Sequence, residues 1–250
     1  MVKKILDMLK QSTPDQLSET DQQKGKEKPA LFKSYEGKRV MLPSIDTIDC
    51  PDVTLKEVIE SRSSHRKYVK KPLSLEALSY ALYLTQGVKK VVKDLATFRN
   101  VPSAGARHAF ETYLLVNHMD DIESGLYVYD AKSHELVFLM PYHDVKDSIL
   151  KGCLNQSMIL DASVSFFWVA DIYRMSYRYV ERSFRYLHLD AGHIGQNLYL
   201  AAEAINAKTC AIGAFDDDVL NAALTLNTEN ETVIYAAPLG FKSMEDTPRL

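Results

Sequence analysis

The sequence predicts an α+β fold. Apolar and β-branched runs of strand length alternate with stretches of helical period, without the regular βαβ alternation of a doubly wound sheet. The longest helical stripe, Leu187, Ala191, Ile194, Leu198, Ala201 and Ile205, recurs every three or four residues and marks one buried helix over 187–206. The chain has 250 residues, 46% hydrophobic and 25% charged, enough to bury one large core.

The elements follow in order. Residues 1–10 read as a short amphipathic helix with Val2, Ile5, Leu6 and Leu9 on one side. Residues 11–29 hold one large aliphatic residue, Leu17, and read as a mobile linker. Globular patterning begins near Leu31, so 1–43 is taken as an N-terminal helix with a polar linker and 44–250 as one domain. Thr54 and Glu57 form a capping box that opens a helix through Glu60. Ser74 caps a second helix, with Leu75, Leu78 and Leu82 inward and Gly87 as its C′ stop. Glu111–His118 reads as a strand. Gly125–Asp130 and Glu135–Met140 read as a hairpin turning at 131–134. Asp144–Leu154 is helical, and Ser163–Ala170 is a buried strand. After the long helix, Asn206 supplies a left-handed stop. Lys208–Ile212 and Thr232–Leu239 are strands, and Asp216 or Asp217 starts a helix between them.

Several functions are excluded as expectations. A net charge of -3 leaves no footprint for nucleic acid or anionic lipid. No apolar run approaches a membrane span, and Met1–Asp7 lacks the apolar core of a secretory signal. Cys50, Cys153 and Cys210 are far apart and odd in number, which suits the cytoplasm and makes no metal knuckle. No Walker A, G-x-G-x-x-G, G-x-S-x-G or H-E-x-x-H segment is present, and no metal site is expected. Asp190 and His193, three apart on one helix face, read as a helix hydrogen bond or as a dyad.

Three segments carry chemistry. Arg62-Ser63-Ser64-His65-Arg66 sets two guanidiniums and two hydroxyls four residues apart, which suits a phosphate or polyol, or a solvated basic turn. Pro102-Ser103-Ala104-Gly105 is small enough for backbone to approach a flat ligand, or is a plain loop. Ile212-Gly213-Ala214 ends a strand with small residues whose amides could meet ring heteroatoms that gain negative charge on reduction. Asp216, Asp217 and Asp218 read as an N-cap with acids complementing the helix dipole.

Together these segments resemble the nitroreductase-like flavoprotein family. Within it the chain is most similar to the streptolysin-type branch, which includes azoline (thiazoline and oxazoline) dehydrogenases. The resemblance covers roughly 54–240 and rests on RSSHRKY at 62–68, KPLSLEALSYALYLTQGV at 71–88, PSAGARH at 102–108, GLYVYD at 125–130, RYLHLDAGHIGQNLYLAAEA at 185–204 and CAIGAFDDD at 210–218. It implies a mixed, largely antiparallel sheet flanked by helices in an intertwined homodimer, with FMN in two clefts between the subunits. Arg62 and Ser64, with Ser63, would hold the phosphate and ribityl end. Arg66 would lie near the pyrimidine edge, Ile212, Gly213 and Ala214 at the ring, and Pro102, Ser103, Ala104 and Gly105 would reach in from the partner. Lys242 or Arg249 would complete the phosphate site. The branch carries Lys-Tyr where this chain has Arg178-Tyr179, a pair implicated in removing the ring proton. Arginine stays charged and makes a poor base. Arg178 and Tyr179 are the candidate catalytic pair.

The implied function is ping-pong hydride transfer through FMN, from NAD(P)H or an organic donor to a quinone or nitroaromatic. The alternatives are an azoline dehydrogenase acting on a modified peptide and a non-catalytic flavin-binding protein.

Overall fold

Alternating side chains in two adjacent strands build the centre of the fold. β5 (Phe110–Val116) and β8 (Val164–Asp171) pair antiparallel, with Leu114 opposite Phe166 and Tyr113 opposite Phe167. Leu114, Phe166 and Trp168 enter one apolar cluster; Tyr113, Phe167 and Val169 enter another. Period-two alternation therefore loads both faces of the sheet, and the run at 164–170 has no polar side because neither face meets water.

The computed structural model describes residues 1–49 and 52–242. Cys50 and Arg249 lie outside the described residues. In chain order the described elements are α1 (Val2–Lys10), β1 (Arg39–Met41), α2 (Leu55–Ser61), β2 (Tyr68–Val69), α3 (Leu75–Gln86), β3 (Val88–Val92) and β4 (Ala96–Arg99). β5 is followed by β6 (Gly125–Asp130), β7 (Glu135–Pro141), α4 (Tyr142–Gly152) and α5 (Met158–Asp161). After β8 come α6 (Ile172–Tyr179), α7 (Ser183–Ala204), β9 (Lys208–Thr209), α8 (Asp217–Ala223) and β10 (Glu231–Lys242). The main sheet runs β1-β7-β6-β5-β8-β10-β2, with β9 also on β10. Its strand pairs are antiparallel, and single parallel bridges join Ser64 to Thr209 and Leu73 to Met119. α3 and α7 cover one face through Leu78, Leu82, Leu187, Ile194 and Leu198. α4, α5 and α8 cover the other through Val145, Ile149, Ile159 and Leu220. The fold class is the α+β arrangement the sequence predicts.

Local chemistry sets the boundaries. Thr54 and Glu57 exchange both capping-box hydrogen bonds at the start of α2. Ser74 caps α3, and Asp216 caps α8 by accepting from the Val219 amide at 3.0 Å. Asn206 takes φ 54° just past α7, the left-handed stop its identity predicts. Gly87 ends α3 differently from the expectation. Its φ is -56°, and the chain turns directly into β3. Glycine is required there because a Cβ would stand 2.4 Å from the Tyr83 carbonyl oxygen.

Three departures have physical causes. The segment 11–29, expected to be mobile, is tied to α6 and the turn after it. The Gln22 amide donates to the Tyr177 carbonyl at 3.0 Å, the Tyr177 hydroxyl to the Lys26 carbonyl at 3.1 Å, and Arg182 to the Ser12 carbonyl at 2.7 Å. Hydrogen bonds hold it where apolar burial does not. α6 escapes the apolar-period test because its buried face carries Arg174, ion-paired with Glu111 at 2.8 Å and Asp171 at 3.2 Å. The β3–β4 hairpin escapes it because β3 is exposed or half-buried throughout. Among the described residues, no helix is long and apolar enough to cross a membrane.

Candidate functional site

α7 organises two clusters of the expected site residues. The first gathers around Tyr199. Arg62 sits at the C-terminal end of α2, and the chain then runs extended beside β9, where the His65 amide donates to the Thr209 carbonyl at 3.1 Å. The Tyr199 hydroxyl shares a hydrogen bond with the Ser64 hydroxyl at 2.8 Å and accepts from the Ala211 amide at 2.9 Å. The Arg62 guanidinium lies 5.2 Å from the centre of the Tyr199 ring. One phenol thus brings the 62–64 segment and the start of the 211–214 segment to the same place. Ser63 faces the other way along the chain, bonded to the buried His65 ring at 2.7 Å.

The members of this cluster differ in what they can offer. Ile212 is buried, and its amide and carbonyl both pair with Ala236, at 2.7 and 3.1 Å. Its backbone amide therefore belongs to the sheet. Gly213 is exposed, and a Cβ built there would meet nothing within 4 Å, so its backbone faces open space. The Ala214 carbonyl accepts from Gln156 at 2.8 Å, which holds the segment in place. Arg66 is exposed, and among the described residues neither Arg62 nor Arg66 is ion-paired to a carboxylate. Lys242 ends β10 opposite Tyr68, two residues beyond Arg66. This is unneutralised positive charge beside a hydroxyl and open backbone, the donor set a phosphorylated, planar cofactor needs.

The second cluster gathers around Asp190. Its carboxylate accepts from the Ser103 hydroxyl at 2.6 Å and the Ala104 amide at 3.2 Å, and Ser103 accepts from the His108 amide at 2.9 Å. Asp190 is therefore the anchor of the 102–108 loop, not a dyad with His193. Burial raises the pKa of its carboxyl, and the Ser103 and Ala104 hydrogen bonds oppose that rise. Gly105 and Ala106 take φ of 56° and 52°, and His108 takes 44°. At Gly105 a Cβ would stand 2.3 Å from the Tyr179 hydroxyl and 3.2 Å from an Arg178 nitrogen. The loop thus lies directly against the candidate catalytic pair. Tyr179 stacks edge-on with Tyr186 at 4.7 Å. Val180, the next residue, has φ 40°, a strained value for a β-branched side chain. Arg107 donates to the Gly105 and Leu95 carbonyls at 3.3 and 3.0 Å, and burial beside Arg178 lowers its pKa.

The two clusters do not meet within one chain. Asp190 and Tyr199 are nine residues apart on one helix, which is about 14 Å of rise and about half a turn of net rotation. One faces the 102–108 loop and the other faces 62–64 and 211.

The Nitroreductase family matches residues 59–241. The chain belongs to this family. It is an oxidoreductase of that kind. It is 32% identical over 203 residues to a nitroreductase-like protein of Methanocaldococcus jannaschii, covering 81% of this chain and 96% of that protein. It is 29% identical over 167 residues to the trifolitoxin-processing protein TfxB of Rhizobium leguminosarum bv. trifolii, covering 64% of this chain and 44% of TfxB. The chain thus spans less than half the length of TfxB. Among solved structures, a nitroreductase-like protein of Ralstonia eutropha superposes with a TM-score of 0.67 at 20% identity, over 87% of this chain and 95% of that one. One from Desulfovibrio desulfuricans, in complex with FMN, superposes with a TM-score of 0.53 at 17% identity, over 80% and 93%. These two establish the fold.

Tyr199 and Arg107 organise the site with no role predicted from the sequence, and Asp190, expected to pair with His193, anchors the 102–108 loop instead. Arg107 lies inside the PSAGARH segment that the sequence marks. Tyr199 carried one usable signal, a polar aromatic placed beside Leu198 and off the apolar stripe of α7.

Proposed function

We propose that the protein is a homodimeric, FMN-dependent oxidoreductase whose flavin lies between two protomers. The carrying observation is the separation of the two clusters across α7. Within one chain, the Tyr199 side and the 102–105 loop lie on opposite faces of α7, about 14 Å apart along its axis. Across a two-fold axis, the loop of one protomer can meet the Arg62 side of the other. Arg62 and Ser64 hold the phosphate end, with Lys242 beside them. Gly213 and Ala214 present backbone to the ring, and Arg66 lies at the pyrimidine edge. Pro102–Gly105 of the partner closes over the ring. Bound FMN supplies the hydride chemistry; the chain binds it, orients it and excludes water. The overall reaction is ping-pong transfer from NAD(P)H to a quinone or nitroaromatic acceptor.

Two observations favour a second reading. The kinship with TfxB, together with the contact of Tyr179 on Gly105, fits oxidation of an azoline in a peptide, with Tyr179 taking the ring proton. Arg178 in place of lysine ranks it second.

The test is the purified protein itself. It should be yellow, release FMN by mass at about one per chain, sediment as a dimer, and oxidise NADH or NADPH with a quinone. A colourless protein that does not take up FMN would sink the reading. A dimer with FMN but no turnover would leave only flavin binding.

A further inference from the structure

The helix α1 has no buried residue. Ile5, Leu6 and Leu9 are 52%, 51% and 44% exposed and lie on one face with Val2. Behind them stand Lys3, Lys4 and Lys10 against a single acid, Asp7. A second unpartnered apolar surface lies elsewhere. α2, α3 and α7 enclose an open groove of about 300 Å³ floored by Val58, Leu84 and Leu200. Val53 and Leu55 on its lining are exposed, as is Ile59 one turn beyond Leu55 on α2. The segment 52–60 that borders it carries Asp52, Glu57 and Glu60 against a single base, Lys56. The two surfaces are both apolar and are flanked by charge of opposite sign.

They cannot meet within one chain. Arg182 and Arg185, at the start of α7, pin the C-terminal end of α1 through the Ser12 carbonyl and hydroxyl, at 2.7 and 3.3 Å. Leu6 is then about 9 Å from that pin, whereas Leu200 lies about 22 Å along α7 from Arg185. In a two-fold pair whose α7 helices run antiparallel, the start of one α7 lies beside the far half of the other. The outer face of α7 suits such a pairing: Phe184 and Leu189 are 60% and 53% exposed, and nothing lies within 4 Å of a Cβ built at Gly192.

We infer that α1 of one copy docks in the α2–α3–α7 groove of a second copy, as an arm that clamps the dimer. The inference rests on the homodimer reading above. Leu6 and Leu9 fill the groove against Leu55 and Ile59, and the lysines face the Glu57 and Glu60 rim.

Site-directed cross-linking tests it. Two chains are co-expressed, both carrying Cys50→Ser, one with Leu6→Cys and the other with Leu55→Cys. Cys153 and Cys210 are buried and do not compete. Mild oxidation should convert the pair into a covalent dimer. Adding Ile5→Asp and Leu9→Asp to the first chain should abolish that band. A wild-type protein that sediments as a dimer while the pair stays uncross-linked would overturn the arm and leave the dimer standing. A wild-type monomer would overturn both. A chain carrying Leu6→Cys and Leu55→Cys together that closes only on itself would overturn docking between copies. Wild type that co-sediments with phosphatidylserine vesicles, when the Ile5→Asp/Leu9→Asp variant does not, would assign α1 to a membrane surface and overturn the inference.

Discussion

The two sides of α7 are built on different principles. On the Asp190 side, the loop's polar groups find partners inside the chain. A carboxylate takes the Ser103 hydroxyl and the Ala104 amide, and the left-handed residues Gly105, Ala106 and His108 follow beside it. On the Tyr199 side, Arg62 and Arg66 are left without a carboxylate among the described residues, and Gly213 faces open space. The first side stores its interactions in the folded protein. The second leaves its charged groups without an ion-pair partner among the described residues and its backbone open, which is what the proposed phosphate end requires. A substitution on the first side should therefore appear mainly in stability, and one on the second mainly in affinity.

Asp190→Ala should give the largest effect. It removes the acceptor of two hydrogen bonds, both made to a charged group in a buried place, each worth about 1.5–3 kcal/mol. Unfolding by urea should lose about 3 kcal/mol or more. Asp190→Asn keeps the shape and part of the acceptor capacity, and should lose less. A change below about 1 kcal/mol in the alanine variant would mean that the loop holds itself, and the contrast between the two sides would fail.

Arg62→Ala should do the reverse. Arg62 makes no ion pair among the described residues, so losing it, with its contact on Tyr199, should cost no more than about 0.5–1 kcal/mol of stability. FMN affinity should fall by about one to two decades, because charge-assisted bonds worth about 1.5–3 kcal/mol are lost. Equilibrium dialysis reads this directly. Unchanged FMN affinity would break the assignment of the phosphate end.

His108 sharpens the comparison through pH. Burial, and then the charge of Arg99, push its imidazole down from 6.5 to about 3. Above about pH 6.5 neither the folded nor the unfolded chain holds that proton. As pH falls below it, the unfolded chain takes up a proton that the folded chain refuses. Stability should then drop by about 1.4 kcal/mol per pH unit until about pH 3. Between pH 7 and pH 5 this is about 2 kcal/mol. His108→Asn, which tolerates the left-handed φ, should flatten that slope. An identical slope in the variant would show that other groups carry it.

Much of this contrast was legible before the structure. The capping box at Thr54, the N-cap at Asp216, the stripe of α7 and the buried run of β8 follow from local rules that packing does not override. The three site segments were legible as segments. What joins them was not. Tyr199 and Asp190 lie 135 and 87 residues from the hydroxyls they bind, and no spacing rule reports such a contact. The same distance hides the role of Ile212, whose amide is taken by Ala236 on a different strand. α6 was illegible because its inward position is an arginine, made tolerable by Glu111 and Asp171.

The smallest effect expected separates the two substrate readings. The Tyr179 hydroxyl lies against Gly105, beside the loop proposed to reach the partner's site. For a general reductase the phenol only shapes that cleft. Tyr179→Phe keeps the ring stacked on Tyr186 and should leave quinone or nitroaromatic reduction within about tenfold, about 1.4 kcal/mol in barrier. For an azoline dehydrogenase the phenol takes the ring proton. Its loss should then cost about 10²–10⁴-fold on an azoline peptide. Arg178 stands next to it as a fixed cation and cannot replace it as a base. Both activities measured on the same variant decide between the readings. Azoline oxidation by wild type that collapses in Tyr179→Phe would overturn the quinone and nitroaromatic assignment while leaving the proposed flavin site between the protomers standing.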